Sequence, residues 1–281
     1  MVISDLLDKY LPIYPQKNEI LYILSEILKK DISFLLAHKD LELSFEQVAS
    51  FEDIIERRLK KEPLWYILKK VNFYGLDFYL EKDVLIPRDD TELLVDKALE
   101  LKDKYEINRV LDLCCGSGAI GISFAKNVKD KSSLKVLLSD ISKSCIDLTD
   151  RNIALHNLKD VCKVVKSDLF SNVEGKFDLI ISNPPYISKD EYDLLSDDIK
   201  DYEPSLALIA GQDGLDYYKD IINTVSSYLN DGGFLVFEVG YNQADKVKTL
   251  MVNKGFSDIE ILKDLNKIDR LVLGRLEGMA L

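Results

Sequence analysis

The sequence predicts an α/β fold, in which a doubly wound parallel sheet follows a small helical domain. Two observations support this prediction. From about residue 108 onwards, short apolar segments typical of buried strands alternate with segments of helical periodicity, as in a parallel sheet covered by helices. Before residue 63, apolar residues recur at helical spacing, and the first glycine of the chain is Gly75.

The helical domain is predicted to span residues 1–62. Ser44 followed by Gln47 has the pattern of a capping box and marks the start of one helix, and Asp31 marks a weaker start. An apolar stripe that another helix would bury consists of Ile20, Leu21, Ile23, Leu24, Ile27 and Leu28.

Residues 63–88 are predicted to form a linking β-hairpin. The segment is rich in aromatic and apolar residues, and Gly75-Leu76-Asp77 is a suitable turn. A helix is predicted next, near residues 91–101.

The remainder, residues 89–281, is predicted to form the sheet domain. Five strands are expected in it, around residues 110–113, 136–138, 161–165, 177–182 and 233–238. The apolar segments 257–262 and 269–273 follow with little helix between them, so we expect them to close the sheet as a hairpin.

Composition excludes several classes of function. The net charge is −12, and both residues 1–90 and the remainder carry an acidic excess, which disfavours a protein that mainly neutralises phosphates. The two histidines, His38 and His156, are too few for a histidine-based metal site or base motif, and the four cysteines form no CxxC pair. The chain is therefore expected to bind no metal. Without a signal pattern or a long apolar run, it is also expected to be cytoplasmic.

A glycine-rich turn follows the first predicted strand of the sheet. The segment runs from Asp112 through Cys114, Cys115, Gly116, Ser117 and Gly118, and such a turn lets a ligand approach the backbone. The first glycine of a dinucleotide fingerprint is absent, and Asp112 precedes the turn instead. This pattern favours S-adenosylmethionine, which has a cationic amino-acid part and no phosphate.

Two further acidic residues end the next strands. Asp140 lies where a carboxylate can accept both ribose hydroxyls of an adenosine, and Asp168 can bind the adenine amine while Leu169 packs on the ring. Each alone is also compatible with an ordinary helix start or turn. Acidic residues at the ends of three successive strands predict a nucleoside site along the carboxyl edge of the sheet; they are Asp112, Asp140 and Asp168.

The fourth strand ends in Asn183-Pro184-Pro185-Tyr186. The two prolines remove backbone donors, so the carbonyls of Asn183 and Pro184 and the Asn183 Oδ1 can accept hydrogen bonds from a planar NH₂ group. Holding both hydrogens orients the nitrogen towards the methyl group and increases its electron density as positive charge develops. Such a transfer needs no strong base, and Tyr186 can stack on the target.

These residues resemble a known family. The tetrapeptide occurs in methyltransferases that modify planar NH₂ groups, and the flanks resemble the peptide chain release factor glutamine methyltransferases, the PrmC/HemK family, over nearly the whole chain. The flanking segments that carry the resemblance are residues 62–67, 85–92, 201–208, 211–215, 238–243 and 269–270.

The resemblance implies a Rossmann-like class I methyltransferase fold and methylation of N5 of the glutamine in the GGQ loop of release factors. It implies catalysis by Asn183, Pro184 and Tyr186, with Pro185 completing the substrate site, and docking of the partner by the helical domain of a monomer. The cofactor-binding residues would be Asp112, Cys114, Cys115, Gly116, Ser117, Gly118, Asp140, Asp168, Leu169 and Asn183.

Other acceptors stay open from the sequence. A ribosomal-protein glutamine methyltransferase shares the tetrapeptide, and a DNA adenine-N6 or RNA guanine-N2 enzyme shares the chemistry but would need a basic cleft. A cofactor-binding regulator without activity is a further alternative. The chain departs from the family pattern at Trp65, Lys69, Asp89-Asp90 and Cys114. Neither membrane binding nor a nucleic-acid substrate is expected.

Overall fold

The structure is a computed structural model that describes residues 1–277. The chain divides into two compact units, Met1–Leu68 and the part that begins at Lys69. No helix within residues 1–277 has the length and apolar character needed to cross a membrane.

The first unit is helical, as predicted. Its helices are α1 (Ile3–Tyr10), α2 (Lys17–Leu28), α3 (Ile32–Ala37), α4 (Phe45–Leu59) and α5 (Leu64–Leu68).

Both predicted helix starts in this unit are confirmed. The Gln47 backbone N–H donates to Ser44 Oγ at 3.2 Å while the Ser44 N–H donates to Gln47 Oε1, which completes the capping box at α4. Asp31 accepts from the Phe34 N–H at the start of α3. Four residues of the predicted stripe on α2 are buried, namely Ile20, Leu21, Ile23 and Leu24.

The segment predicted as a linking hairpin begins with a helix instead, because residues 64–68 form α5. The hairpin itself is confirmed and pairs β1 (Lys70–Phe73) with β2 (Leu76–Tyr79). Its turn is Tyr74-Gly75, one residue earlier than predicted, and both residues have positive φ, as a two-residue turn between twisted strands requires. Leu76 and Asp77 therefore belong to β2, and the hairpin is part of the second unit.

The second unit is built on a seven-stranded sheet. The strands are β3 (Arg109–Leu113), β4 (Lys135–Asp140), β5 (Cys162–Lys166), β6 (Phe177–Ser182), β7 (Leu229–Glu238), β8 (Phe256–Lys263) and β9 (Asp269–Leu276). Their order is β5-β4-β3-β6-β7-β9-β8, in which the first five are parallel and β8 and β9 form the predicted antiparallel hairpin at the edge.

Helices and short turns connect the strands. The helices are α6 (Glu92–Lys104), α7 (Ala119–Asn127), α8 (Lys143–Leu155), α9 (Lys189–Asp193), α10 (Asp197–Tyr202), α11 (Asp216–Thr224) and α12 (Ala244–Asn253), and a 3₁₀ turn, Asp89–Thr91, precedes α6. β3 pairs with β4 on one side and β6 on the other, so the direction of winding reverses there. In open α/β sheets the ligand crevice opens at this reversal, beyond the carboxyl ends of the strands.

Candidate active site

A cavity of about 200 Å³ opens at the carboxyl ends of β3, β4, β5 and β6, within the second unit. Nine of the predicted site residues line it: Cys114, Cys115, Gly116, Ser117, Asp140, Asp168, Leu169, Asn183 and Pro185. Asp112, Gly118, Pro184 and Tyr186 are close in sequence to these residues but are not part of the cavity wall.

The turn after β3 owes its shape to left-handed backbone at three positions. Cys114, Gly116 and Gly118 have φ values of 63°, 56° and 80°. Two side chains of α8 hold this turn, because Thr149 Oγ1 donates to the Gly116 carbonyl at 2.9 Å and Asn152 Nδ2 donates to the Ser117 carbonyl at 2.9 Å. The helix after β4 therefore fixes the loop after β3.

Asp112 lies behind the turn. Its side chain is fully buried, and its Oδ2 accepts from the Gly121 N–H in α7 at 2.8 Å. A Cβ at position 121 would lie 2.9 Å from that oxygen, so the contact needs glycine. Asp112 Oδ1 has no hydrogen-bond partner among residues 1–277, and burial raises the pKa of this carboxyl to about 7. A cationic ligand at the turn would relieve this cost.

Asp140, at the end of β4, is oriented by two backbone amides. Its Oδ2 accepts from Gly116 and its Oδ1 from Ser142, both at 2.9 Å. Burial raises the pKa of the carboxyl, while these backbone hydrogen bonds lower it. Each carboxylate oxygen can accept a second hydrogen bond, so Asp140 can bind a diol in the cavity while it holds the glycine turn.

The loop after β5 presents Asp168 and Leu169 to the cavity. Leu169 has a φ of 45°, and Ser167 Oγ donates to its carbonyl at 2.6 Å. Ser171 Oγ accepts from the Asp168 N–H at 3.1 Å, which holds the backbone of this residue beside the cavity that it lines. Ile141 and Tyr217 add apolar surface to the same cavity.

Asn183 follows β6 and reaches the opposite part of the wall. Its Nδ2 lies 3.4 Å from Thr91 Oγ1, a long N–H···O contact, so Nδ2 faces Thr91 and Oδ1 is the atom left for a ligand. The Tyr186 carbonyl accepts from Gln243 Nε2 at 2.8 Å, and its ring packs against the core of the sheet domain. Burial raises the pKa of Tyr186 to about 12, so its hydroxyl stays neutral.

The residues present fit S-adenosylmethionine. The Asp112 carboxyl, with its unpartnered buried oxygen, lies behind the glycine turn, which suits the cationic amino-acid part of the cofactor. Asp140 suits the ribose diol. Ile141 and Leu169 offer apolar surface to the purine. Within the part of the chain that the structure describes, no three His, Cys, Asp or Glu side chains come together as a metal site would require.

Two departures from the family pattern keep the backbone that glycine would adopt. Lys69 and Cys114, which stand where glycine is usual, have φ values of 56° and 63°. Burial raises the pKa of the Cys114 thiol far above its usual range, so it stays protonated. A neutral thiol is a poor nucleophile and does not compete for an activated methyl group in the cavity.

Replacement of the two glycines of the turn by alanine is expected to lower stability in both cases, but to different extents. At Gly118 a Cβ would lie 2.9 Å from both Ile122 Cδ1 and Thr149 Cγ2, whereas at Gly116 nothing lies within 4 Å. We expect Gly118→Ala to lower the free energy of unfolding by about 2–4 kcal/mol and Gly116→Ala by about 1 kcal/mol, from backbone strain alone. Urea denaturation measures both.

Cofactor affinity should show the reverse order, because a Cβ at Gly116 enters the cavity. Calorimetry should therefore find the larger loss of S-adenosylmethionine affinity in Gly116→Ala. Equal stability of the two variants would refute the packing described for this turn.

Sequence reasoning did not assign a site role to several residues that the fold brings to the cavity or next to it: Thr91, Ile141, Asn152, Tyr217 and Glu238. A signal existed for three of them. Ile141 directly follows Asp140, and Thr91 and Glu238 lie within the segments 85–92 and 238–243 that carry the family resemblance. Asn152 and Tyr217 lie on elements whose proximity only the tertiary fold reveals.

Comparison with known proteins places these features in context. Residues 89–200 match the family model for the methyltransferase small domain, and residues 13–68 match that for the PrmC N-terminal domain. The chain is 42% identical to the release factor glutamine methyltransferase of Clostridium acetobutylicum, across 99% of this chain and 100% of that protein. It is 40% identical to the one of Clostridium botulinum, across 90% of this chain and 89% of that protein.

Solved structures share the fold at low sequence identity. The hMettl16 catalytic domain, in complex with MAT2A 3′UTR hairpin 6, aligns with a TM-score of 0.58 at 16% identity, over 86% of this chain and 96% of that one. The Thermus thermophilus 16S rRNA N2 G1207 methyltransferase, solved with AdoMet and guanosine, aligns with a TM-score of 0.50 at 16% identity, over 74% of this chain and 50% of that one.

Proposed function

The chain belongs to the family of release factor glutamine methyltransferases, and we propose that the cavity at the carboxyl edge of its sheet is where it carries out the reaction. The enzyme transfers a methyl group from S-adenosylmethionine to a glutamine of peptide chain release factors. We further propose that the acceptor atom is N5 of the glutamine in the GGQ loop.

One observation carries the assignment of the site. Asp140 and Asp168, which suit a nucleoside, line the same cavity as Asn183, whose Oδ1 suits a planar amide, and Pro185 next to it. A methyl donor bound at Asp140 and Asp168 and an acceptor bound at Asn183 would therefore share one cavity. Proximity and orientation are the main requirement of this reaction.

The cofactor residues follow from the walls of the cavity. The turn from Cys114 to Gly118 would hold the methionine part, with Asp112 supporting it from behind through its buried charge. Asp140 would accept hydrogen bonds from the ribose hydroxyls, and Asp168 with Leu169 would hold the adenine. S-adenosylmethionine would supply an electrophilic methyl group on a sulfonium sulfur; as the N–CH₃ bond forms the S–CH₃ bond breaks, and S-adenosyl-L-homocysteine is the product.

The acceptor residues act by hydrogen bonding. Asn183 Oδ1 and the Pro184 carbonyl would accept the two N–H bonds of the glutamine amide and orient its nitrogen towards the methyl group. These bonds strengthen as the nitrogen gains positive charge, so they stabilise the transition state more than the bound substrate. Pro185 would close the wall beside the amide. Tyr186 is predicted from the sequence to stack on the target, but its ring packs against the core of the sheet domain, so we propose that it supports the loop instead. The proton can leave to water.

We propose that the two units of the chain have different roles. The helical unit, predicted as residues 1–62, would dock the release factor. The sheet unit, predicted as residues 89–281 after the linker 63–88, would perform the transfer. We propose a monomer that acts in the cytoplasm, where its acceptor is synthesised and used.

Acceptor choice is tested with labelled S-adenosylmethionine and three acceptors: a release factor, a ribosomal protein and DNA. We expect label on the release factor alone, and none when the glutamine of its GGQ loop is replaced by alanine. Label on the ribosomal protein alone would assign the chain to a different glutamine acceptor, and label on DNA alone would refute glutamine methylation. The acidic excess over the whole chain supports the expected result.

A further inference from the structure

A buried carboxylate lies beside the acceptor site. β6 and β7 are parallel neighbours in which Ser182 pairs with Phe237, so the next residues lie side by side: Asn183 directly after β6, and Glu238 as the last residue of β7, where it also pairs with Leu271 of β9. Glu238 is only 1% exposed, and within the described residues nothing donates a hydrogen bond to its Oε2. A buried carboxyl lowers the stability of the fold unless it has hydrogen-bond or charged partners. Its presence beside the acceptor site therefore points to a function in that site.

Thr91 connects this carboxyl to the acceptor site. Its side chain is buried and lines the cavity, and its Oγ1 lies 3.4 Å from Asn183 Nδ2. A hydroxyl has one hydrogen to donate and lone pairs to accept. If Thr91 donates towards the Glu238 carboxylate, its oxygen is left to accept from Asn183 Nδ2.

We propose that Glu238 and Thr91 are positioning residues that fix the orientation of the Asn183 amide, so that Oδ1 and not Nδ2 faces the glutamine substrate. This inference rests on the proposed function of the site. The two ends of an asparagine amide have nearly the same shape, so packing alone does not choose between them and hydrogen bonds must. With the amide reversed, its NH₂ would oppose the NH₂ of the substrate, and the acceptor of the first N–H bond would be lost.

The charge of Glu238 matters for this orientation. An ionised carboxyl only accepts hydrogen bonds, which forces Thr91 to donate to it, whereas a neutral carboxyl can donate and permits the reversed arrangement. Burial, reinforced by the charge of Asp90, raises the pKa of Glu238 to about 7. This shift is opposed by the Thr91 hydrogen bond, by Arg270 and by a hydrogen bond from the Asn183 side chain, so Glu238 also orients the Asn183 amide directly. The ionised fraction, and with it the correct orientation, therefore increases as the pH rises through about 7.

Charged and titratable groups face Glu238 from several neighbouring elements. Asp90 and Arg270 form an ion pair at 3.0 Å, and burial raises the pKa of Tyr186 to about 12 and that of Tyr218 well above its usual value. These groups are Asp90 in the turn before α6, Tyr186 after β6, Tyr218 on α11 and Arg270 on β9.

The test compares kinetics of Thr91→Val, Thr91→Ser and Glu238→Gln on a release factor. We expect Thr91→Val to lower kcat about tenfold with little change in KM, because the affected hydrogen bond strengthens in the transition state. Thr91→Ser, which keeps the hydroxyl, should recover most of that rate. For the wild type kcat should rise through about pH 7, and Glu238→Gln should be slower with no such rise.

Two controls make the outcome decisive. S-adenosylmethionine affinity by calorimetry shows that each variant is folded, and Glu174→Gln, an exposed glutamate, is the matched control that should keep the wild-type pH profile. If the wild type does not methylate the release factor, the proposed function fails. If it does, but Thr91→Val keeps its kcat or Glu238→Gln keeps the rise with pH, the positioning role is refuted.

Discussion

Asn183→Ala should abolish most methyl transfer while S-adenosylmethionine still binds. The substitution removes Oδ1, the side-chain acceptor that orients the substrate nitrogen, and removal of one such preorganised hydrogen bond typically lowers kcat by roughly 10²–10³-fold. The cofactor contacts of Asp140 and Asp168 lie elsewhere in the cavity wall and are unchanged. Single-turnover kinetics on a release factor, together with calorimetry of cofactor binding, measures both effects.

A matched control for this variant is Asn253→Ala, which removes an exposed asparagine at the end of α12 in the same unit. It should keep normal turnover. Near-normal turnover of Asn183→Ala would show that the amide is not held as described, and parallel loss of cofactor affinity would show that Asn183 serves the cofactor instead.

Asp140→Ala should weaken S-adenosylmethionine binding by about 100-fold. The change removes the acceptor of the ribose hydroxyls, and it also leaves the amides of Gly116 and Ser142 without the carboxylate that orients them. Hydrogen bonds to charged groups contribute about 1.5–3 kcal/mol each, so a loss near 3 kcal/mol is expected. Asp140→Asn, which keeps one acceptor oxygen, should show an intermediate affinity.

Calorimetry of cofactor binding gives this measurement directly. Asp147→Ala removes an exposed carboxylate on α8, whose only ion pair in the described part of the chain is with Lys143, and should leave the affinity unchanged. Unchanged affinity in Asp140→Ala would overturn the assignment of the ribose site.

Local signals in the sequence predicted much of the fold. The capping box at Ser44, the start at Asp31 and the succession of strands along the chain were confirmed, because each depends on a few consecutive residues and on apolar periodicity. The exceptions have local causes too. Residues 64–68 form a helix although they are as apolar and aromatic as a strand, and the positive φ of Tyr74 places the hairpin turn one residue earlier than predicted.

The candidate site was predictable where residues end strands of the parallel sheet, since the topology alone brings Asp140, Asp168 and Asn183 to one edge. The positions of the side chains at that edge could not be predicted from the sequence. The Asp112 side chain lies behind the glycine turn and accepts a hydrogen bond from Gly121, a contact that is possible only because glycine has no Cβ. The contact of Asn183 with Thr91 joins residues 92 positions apart, and only the packed structure reveals such pairs.

Peptide mass spectrometry of a release factor, after incubation with the enzyme and S-adenosylmethionine, tests most directly whether a glutamine amide is the methyl acceptor. We predict a single added methyl group on the side-chain amide of the glutamine in the GGQ loop with the wild type, and none with Asn183→Ala. A methyl group on any other residue, or the same yield from Asn183→Ala, would contradict the proposed mechanism.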